Sequence, residues 1–210
     1  MTKRQGYHHG DLANALVTAA VELISEKGLD ALTLREVAGI IGVTHSAAYR
    51  HFADKTGLLA AVSEDGYRAL AARLADVAAG ERGEPIARVR ALACAYVAFA
   101  LERPAHYSVM HGGRLNEDGR FPSLEAAIAA SLSFLFGAIE DGQRAGAIRA
   151  TPAARELAFG TLIAAHGFVE LVARRRLKVR STPIAIAYFA TLFEPYLDGL
   201  RPATDHYAKR

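Results

Sequence analysis

Cysteine is almost absent from this sequence, and tryptophan is absent altogether. The single cysteine, Cys94, excludes an internal disulfide and any multi-cysteine zinc site, and its apolar, helix-forming surroundings favour a small core filler over a redox sensor. Runs of β-branched residues are few while alanine is very frequent and 51% of the 210 residues are hydrophobic, which points to an all-α architecture. No apolar stretch long enough to cross a bilayer is expected, and the polar start TKRQGYHHGD lacks the form of a signal peptide, so the expected compartment is the cytoplasm with no membrane partner. Enzyme signatures are missing too: there is no G-x-S-x-G, H-E-x-x-H, P-loop or G-x-G-x-x-G, and Asp, His and Ser residues show no triad spacing. His106, His111 and His166 have neither metal-ligand spacing nor an accompanying cluster, so no metal and no cofactor are expected.

A strong charge of one sign is also lacking. The formal net charge is +3, and residues 1–60 carry six Lys/Arg against six Asp/Glu. Placement is more telling than the total, because no acidic residue lies between Glu36 and Asp54, where His45, Arg50 and His51 gather. If the histidines approach phosphates, binding to a duplex tightens as pH falls through the histidine range near about 6.5.

What the sequence does contain is TLREVAGIIGVTHSAAYRHFADK, from Thr33 to Lys55. Thr33 and Glu36 stand in the capping-box relation, and Leu32 and Val37 occupy the positions of a hydrophobic staple. Leu34, Val37, Ala38 and Ile41 share a face, so a helix is expected over 34–40, with Gly42 where the chain must reverse. Thr44 is the next N-cap candidate, and Ala48 and Phe52 keep the inner face of a second helix apolar. Its outer faces show His45, Ser46, Ala47, Tyr49, Arg50 and His51, a set of hydroxyls and cationic or imidazole donors suited to phosphates and base edges. Capped helical hairpins also occur in all-α domains that bind no DNA.

With the amphipathic segment GDLANALVTAAVELISEKG ahead of it, LDALTLREVAGIIGVTHSAAYRHFADKTGLL resembles the DNA-binding domain of the tetracycline-repressor (TetR) family, over about Tyr7 to Val62. The resemblance implies a three-helix helix-turn-helix domain (1–56) followed by a helical ligand-binding and dimerisation domain (57–210). It implies contacts to operator phosphates or bases from Thr33, Arg35, Thr44, His45, Tyr49, His51 and Lys55. By position, Thr44, His45, Ser46 and Ala47 lie nearest the base-reading end of the recognition helix. The start YHHGDL further resembles a subset whose C-terminal domain bears a Trp-His-Gly signature, to which Ala165, His166 and Gly167 correspond without the tryptophan. Lys3, Arg4, Tyr7 and His8 form a polar arm that either enters a minor groove or is a plain tail.

Asp11 is expected to open the first helix, with Leu12, Leu16, Ala20, Leu23 and Ile24 as its buried stripe. Asp54 is expected to cap a long helix to Gly80, the natural lever between the domains. Further helices are expected from Ile86 to Pro104, from Pro122 to Ala145, from Pro152 to about Arg175 with Thr151 as N-cap, and from near Pro183, fading after Pro195. Family resemblance makes the last two helices a dimer interface, for which Phe159, Ile163, Leu171, Ile184, Tyr188 and Leu192 are candidates; an ordinary intrachain core is the alternative. The cationic run Arg174, Arg175, Arg176, Lys178 and Arg180 reads as a solvated helix end. Tyr96, Phe99, His106, Tyr107, Met110, Phe134 and His166 combine apolar bodies with isolated polar groups, as a small-molecule site does, although core packing accounts for each one separately. The resulting expectation is a cytoplasmic, nucleoid-associated homodimeric repressor that binds a palindromic double-stranded operator and responds to a small-molecule effector. The alternatives are an architectural DNA binder without inducer and a helical enzyme.

Overall fold

The computed structural model describes residues 9–81, 83–113, 115 and 119–202, and all regular structure among them is helical. The elements are α1 (His9–Lys27), a 3₁₀ turn (Leu29–Ala31), α2 (Leu34–Ile40), α3 (His45–Tyr49), α4 (Lys55–Gly80), α5 (Pro85–Glu102), α6 (Pro104–His111), α7 (Pro122–Arg144), α8 (Ala154–Ala173) and α9 (Thr182–Leu200). The proposed arm lies outside the described residues, as do the side chains of residues 9–11; α1 begins two residues before Asp11.

The chain packs as two compact units, Met1–Tyr67 with Arg103–Ile128, and Arg68–Glu102 with Ala129–Arg210. In the first, the stripe of α1 (Leu16, Ala20, Leu23 and Ile24) meets Leu34, Val37 and Ala38 of α2, Ala48 of α3 and Leu58 and Val62 of α4. Leu32 and Val37 are both fully buried, as the staple requires. Burying each such side chain contributes about 1.5–3 kcal/mol, which holds α2 and α3 although neither is long enough to persist alone. Helix α6 adds Ala105 and Val109 to this core.

The second unit is built around α5, which packs on both α8 and α9. Ten of its residues are buried, from Ile86 to Ala100, on all sides of the helix, the pattern of a central core element. Phe168, Phe189, Phe193 and Tyr196 form a run of ring contacts with centroids 5.0–5.2 Å apart.

Three expectations are corrected in this unit. Thr151 is not an N-cap and Pro152 is not the first helical residue, since α8 starts at Ala154 with Ala153 as cap. The preceding carbonyls are taken by tertiary partners: Arg149 Nε donates to Thr151 O at 2.7 Å, and Gln143 Nε2 donates to Arg149 O at 2.8 Å and Pro152 O at 3.0 Å. Helix α9 does not fade at Pro195 but continues through it to Leu200, because Leu197 and Leu200 are buried beyond it and outweigh one lost backbone bond. Two helices, α7 and α8, are long and apolar enough to cross a membrane by length and composition alone. The sequence expectation missed them because it looked for unbroken apolar runs, whereas a helix can dilute a few charges over six turns.

Candidate nucleic-acid interface and effector region

The turn between α2 and α3 is closed by local chemistry. Thr33 Oγ1 accepts from the Glu36 N–H at 3.1 Å and also donates to Glu36 Oε2 at 3.1 Å, so the glutamate reaches the threonine hydroxyl. At the far end of α2, Gly42 has φ +72°, a left-handed angle that costs a residue without Cβ little, and the Val43 N–H returns to Ala38 O at 3.0 Å. Thr44 is extended and accepts from the Ala47 N–H at 3.3 Å, which starts α3 one residue later.

Ala48 is the one fully buried residue of α3, and its insertion into the core fixes which side faces outward. Thr44, His45, Ser46, Tyr49 and Arg50 are exposed, and Ala47 and His51 are half-buried. His45 and Tyr49, one turn apart, meet edge to face with ring centroids 4.5 Å apart. Together with Ser46 and Arg50 they line a shallow concavity of about 460 Å³ along the helix. Arg50, left out of the contact set drawn from the resemblance, lines this surface; its place one turn after Ser46 was the available signal.

Thr33 and Arg35 are exposed at the start of α2. Lys55 is exposed, and its ammonium donates to Leu29 O at 3.3 Å, tying the start of α4 to the 3₁₀ turn. Asp54 accepts from the Gly57 N–H at 2.7 Å and from Arg120 Nη2 at 2.8 Å. The Arg120 hydrogen bond, then the Gly57 backbone bond, hold the Asp54 carboxyl below its usual range.

The seven effector candidates do not fall in one unit. Tyr96, Phe99, Phe134 and His166 belong to the second; His106, Tyr107 and Met110 belong to the first, on α6. Tyr96 is buried and its hydroxyl lies 3.2 Å from His166 Nδ1 on α8, while Phe99 is 2% exposed. On α6, buried His106 places Nε2 3.0 Å from Asp65 Oδ2 of α4, and Tyr107 packs on His111 with centroids 4.7 Å apart. Gly66 of α4 lies against Met110 so closely that a Cβ there would stand 2.7 Å from Sδ. A separate open groove of about 630 Å³ runs between α7 and α8, lined among others by Leu132, Phe136, Glu140, Arg155 and Phe159. None of the seven candidates lines it, and no short-range sequence signal joins its two walls.

A capped two-helix turn on a three-helix core, with a polar recognition helix exposed and an all-helical unit beside it in sequence, defines a helix-turn-helix DNA-binding transcription regulator. Residues 16–62 match the family described as bacterial regulatory proteins of the tetR family, and residues 89–195 match the tetracyclin repressor-like C-terminal domain. The chain belongs to the TetR family of transcriptional regulators, whose members are not enzymes. It is 43% identical over 51 residues to the class A tetracycline repressor protein of transposon 1721 from Escherichia coli, a match that spans 24% of each chain. Among solved structures it is similar to a protein of unknown function from Rhodococcus sp. RHA1, with a TM-score of 0.78, 30% identity and coverage of 95% of this chain and 100% of that one. It is also similar to the transcriptional regulator FadR from Bacillus subtilis, solved with stearoyl-CoA, with a TM-score of 0.73, 16% identity and coverage of 90% and 99%.

Proposed function

We propose that this regulator is a homodimeric repressor that binds a palindromic operator and is released by a small molecule. Residues 1–56 are the reading head and 57–210 the effector and dimerisation region. Thr44, His45, Ser46 and Ala47 read base edges, and Tyr49, His51 and Lys55 clamp phosphates together with Thr33 and Arg35. The observation that carries the dimer is the apolar face of α8 and α9: Phe159, Ile163, Leu171, Ile184, Tyr188 and Leu192 are 37–70% exposed. A contiguous face of this kind marks an interaction surface, and a two-fold operator calls for a two-fold protein.

The effector reading rests on Tyr96 and His166, a hydrogen-bonded pair set among apolar residues such as Phe99 and Phe134. Stearoyl-CoA in the B. subtilis relative supports an occupant with a long apolar body. His106 and Met110 grip Asp65 and Gly66 of α4, and α4 leads directly into the reading head through its cap at Asp54. The effector acts by unequal affinity for two arrangements of the dimer, and couplings of about 1–3 kcal/mol are typical. The regulator then works in the cytoplasm, on nucleoid DNA.

The test is selection of binding sites from a random duplex library, followed by release with acyl and aromatic ligands and with cell extract. An inverted repeat bound by a dimer and lost on ligand addition is expected. No enrichment above nonspecific binding overturns the reading; enrichment without release by any ligand or extract favours the architectural alternative.

A further inference from the structure

The groove between α7 and α8 is continuous with the apolar face of α8 and α9, because Phe159 belongs to both. Its wall is aromatic: Phe136 and Phe159 meet edge to face with centroids 5.7 Å apart, and the Arg155 guanidinium lies 5.6 Å from the Phe159 ring centre. The two helices that form it are the most poorly covered of the apolar ones, with 28% of the apolar window of α7 and 33% of that of α8 buried. We infer that a second copy of this chain fills the groove, with α8 crossing its two-fold mate antiparallel so that the partner's Leu171 enters beside Phe136 and Phe159. This rests on the dimer proposed above and specifies its register.

Two independent features select that register. Phe159, Ile163, Gly167 and Leu171 follow one another at four-residue spacing on one face of α8, and the midpoint of the series falls between Ile163 and Gly167. Ile163 is the most exposed large apolar side chain among the described residues, at 70%, and a Cβ on Gly167 would meet nothing within 4 Å. A glycine inside a helix costs about 0.5–1 kcal/mol against alanine, and nothing within the chain calls for this one; a backbone crossing at close range does. Antiparallel crossing at that midpoint sets Phe159 opposite the partner's Leu171.

Charge decides against the parallel alternative. Five of the seven residues 174–180 are cationic. Arg174 pairs with Glu170 at 2.8 Å, while Arg175, Arg176, Lys178 and Arg180 carry no ion pair among the described residues. A parallel crossing would bring this turn against its own copy. The antiparallel one carries it to the other end of α8, where Glu140 on the groove rim and Glu156 in the first turn are exposed, and like-charge contact is replaced by complementary charge.

The test uses the full chain with Cys94→Ser to remove the native thiol. Phe159→Cys and Leu171→Cys proteins are mixed and oxidised mildly after sedimentation equilibrium has established that each is a dimer. Mixed disulfide between the two, with little self-linkage of the Leu171→Cys protein, is expected. Self-linkage of Leu171→Cys, or a dimer that gives neither product, overturns the register while leaving the dimer intact. A wild-type chain that sediments as a monomer overturns both. As a second readout, Glu156→Lys should weaken dimerisation at low salt and Arg175→Glu added to the same chain should restore it; no effect of either removes the electrostatic part of the inference.

Discussion

Gly39 and Gly42 lie three residues apart at the end of α2, and alanine substitution should move stability in opposite directions. At both sites a Cβ would meet nothing within 4 Å, so no contact is gained or lost. Gly39 is helical and exposed, where alanine recovers backbone entropy of about 0.5 kcal/mol near a helix end. Gly42 has φ +72°, an angle at which an L side chain crowds its own backbone by about 1–2 kcal/mol. Gly39→Ala should therefore stabilise by about 0.5 kcal/mol and Gly42→Ala should destabilise by about 1–2 kcal/mol. For a chain of this size 1 kcal/mol corresponds to about 2–4 °C in Tm. Urea unfolding followed by circular dichroism, with the slope unchanged between variants, is the appropriate assay, and the thermal midpoint a second one. Shifts of the same sign would refute the argument, since they would show that contacts, and not backbone conformation, set the energetics of this turn.

Tyr49→Phe should weaken binding to all duplexes alike if its hydroxyl holds a phosphate, whereas His45→Ala should relax preference at one base position; equal effects in a binding-site selection would undo that division of roles. The Asp54 carboxyl, held low by Arg120, contributes stability that is present above the unfolded value near 3.8 and is lost as pH falls through the lower folded value. Arg120→Gln should move the Asp54 titration, followed by NMR, up toward 3.8, and an unmoved midpoint would show that Arg120 is not the cause. Gly66→Ala should cost about 1–3 kcal/mol by overpacking against Met110, partly relieved by Met110→Ala in the same chain. A neutral Gly66→Ala would mean that α4 and α6 separate freely.

The caps and the turn were legible because their signals are local: Thr33, Glu36, Gly42 and Thr44 act on atoms within four residues. The face of α8 and α9 was legible through helical periodicity, and all six residues picked out by it are exposed. Contacts between distant residues left no trace. Lys55 to Leu29, Arg120 to Asp54 and Tyr96 to His166 join positions 26, 66 and 70 apart, which no single-sequence pattern encodes. The effector candidates were chosen by residue type alone, so nothing in that criterion could separate α6 from α5 and α8. Thr151 and Pro152 looked like a helix start because their local preferences are those of one; Gln143 and Arg149 bind their carbonyls instead.

In α3 the residues that face outward and the residues that hold the helix in place are nearly disjoint. Thr44 starts it and Ala48 anchors it, while His45, Ser46, Tyr49 and Arg50 stand on the surface. Substitutions at those four positions leave the core packing untouched, so new binding preferences can be explored by mutation without passing through unfolded intermediates. A family of regulators built on this head can diversify its targets at small structural cost, and a designer can randomise the same four positions in a library whose members still fold.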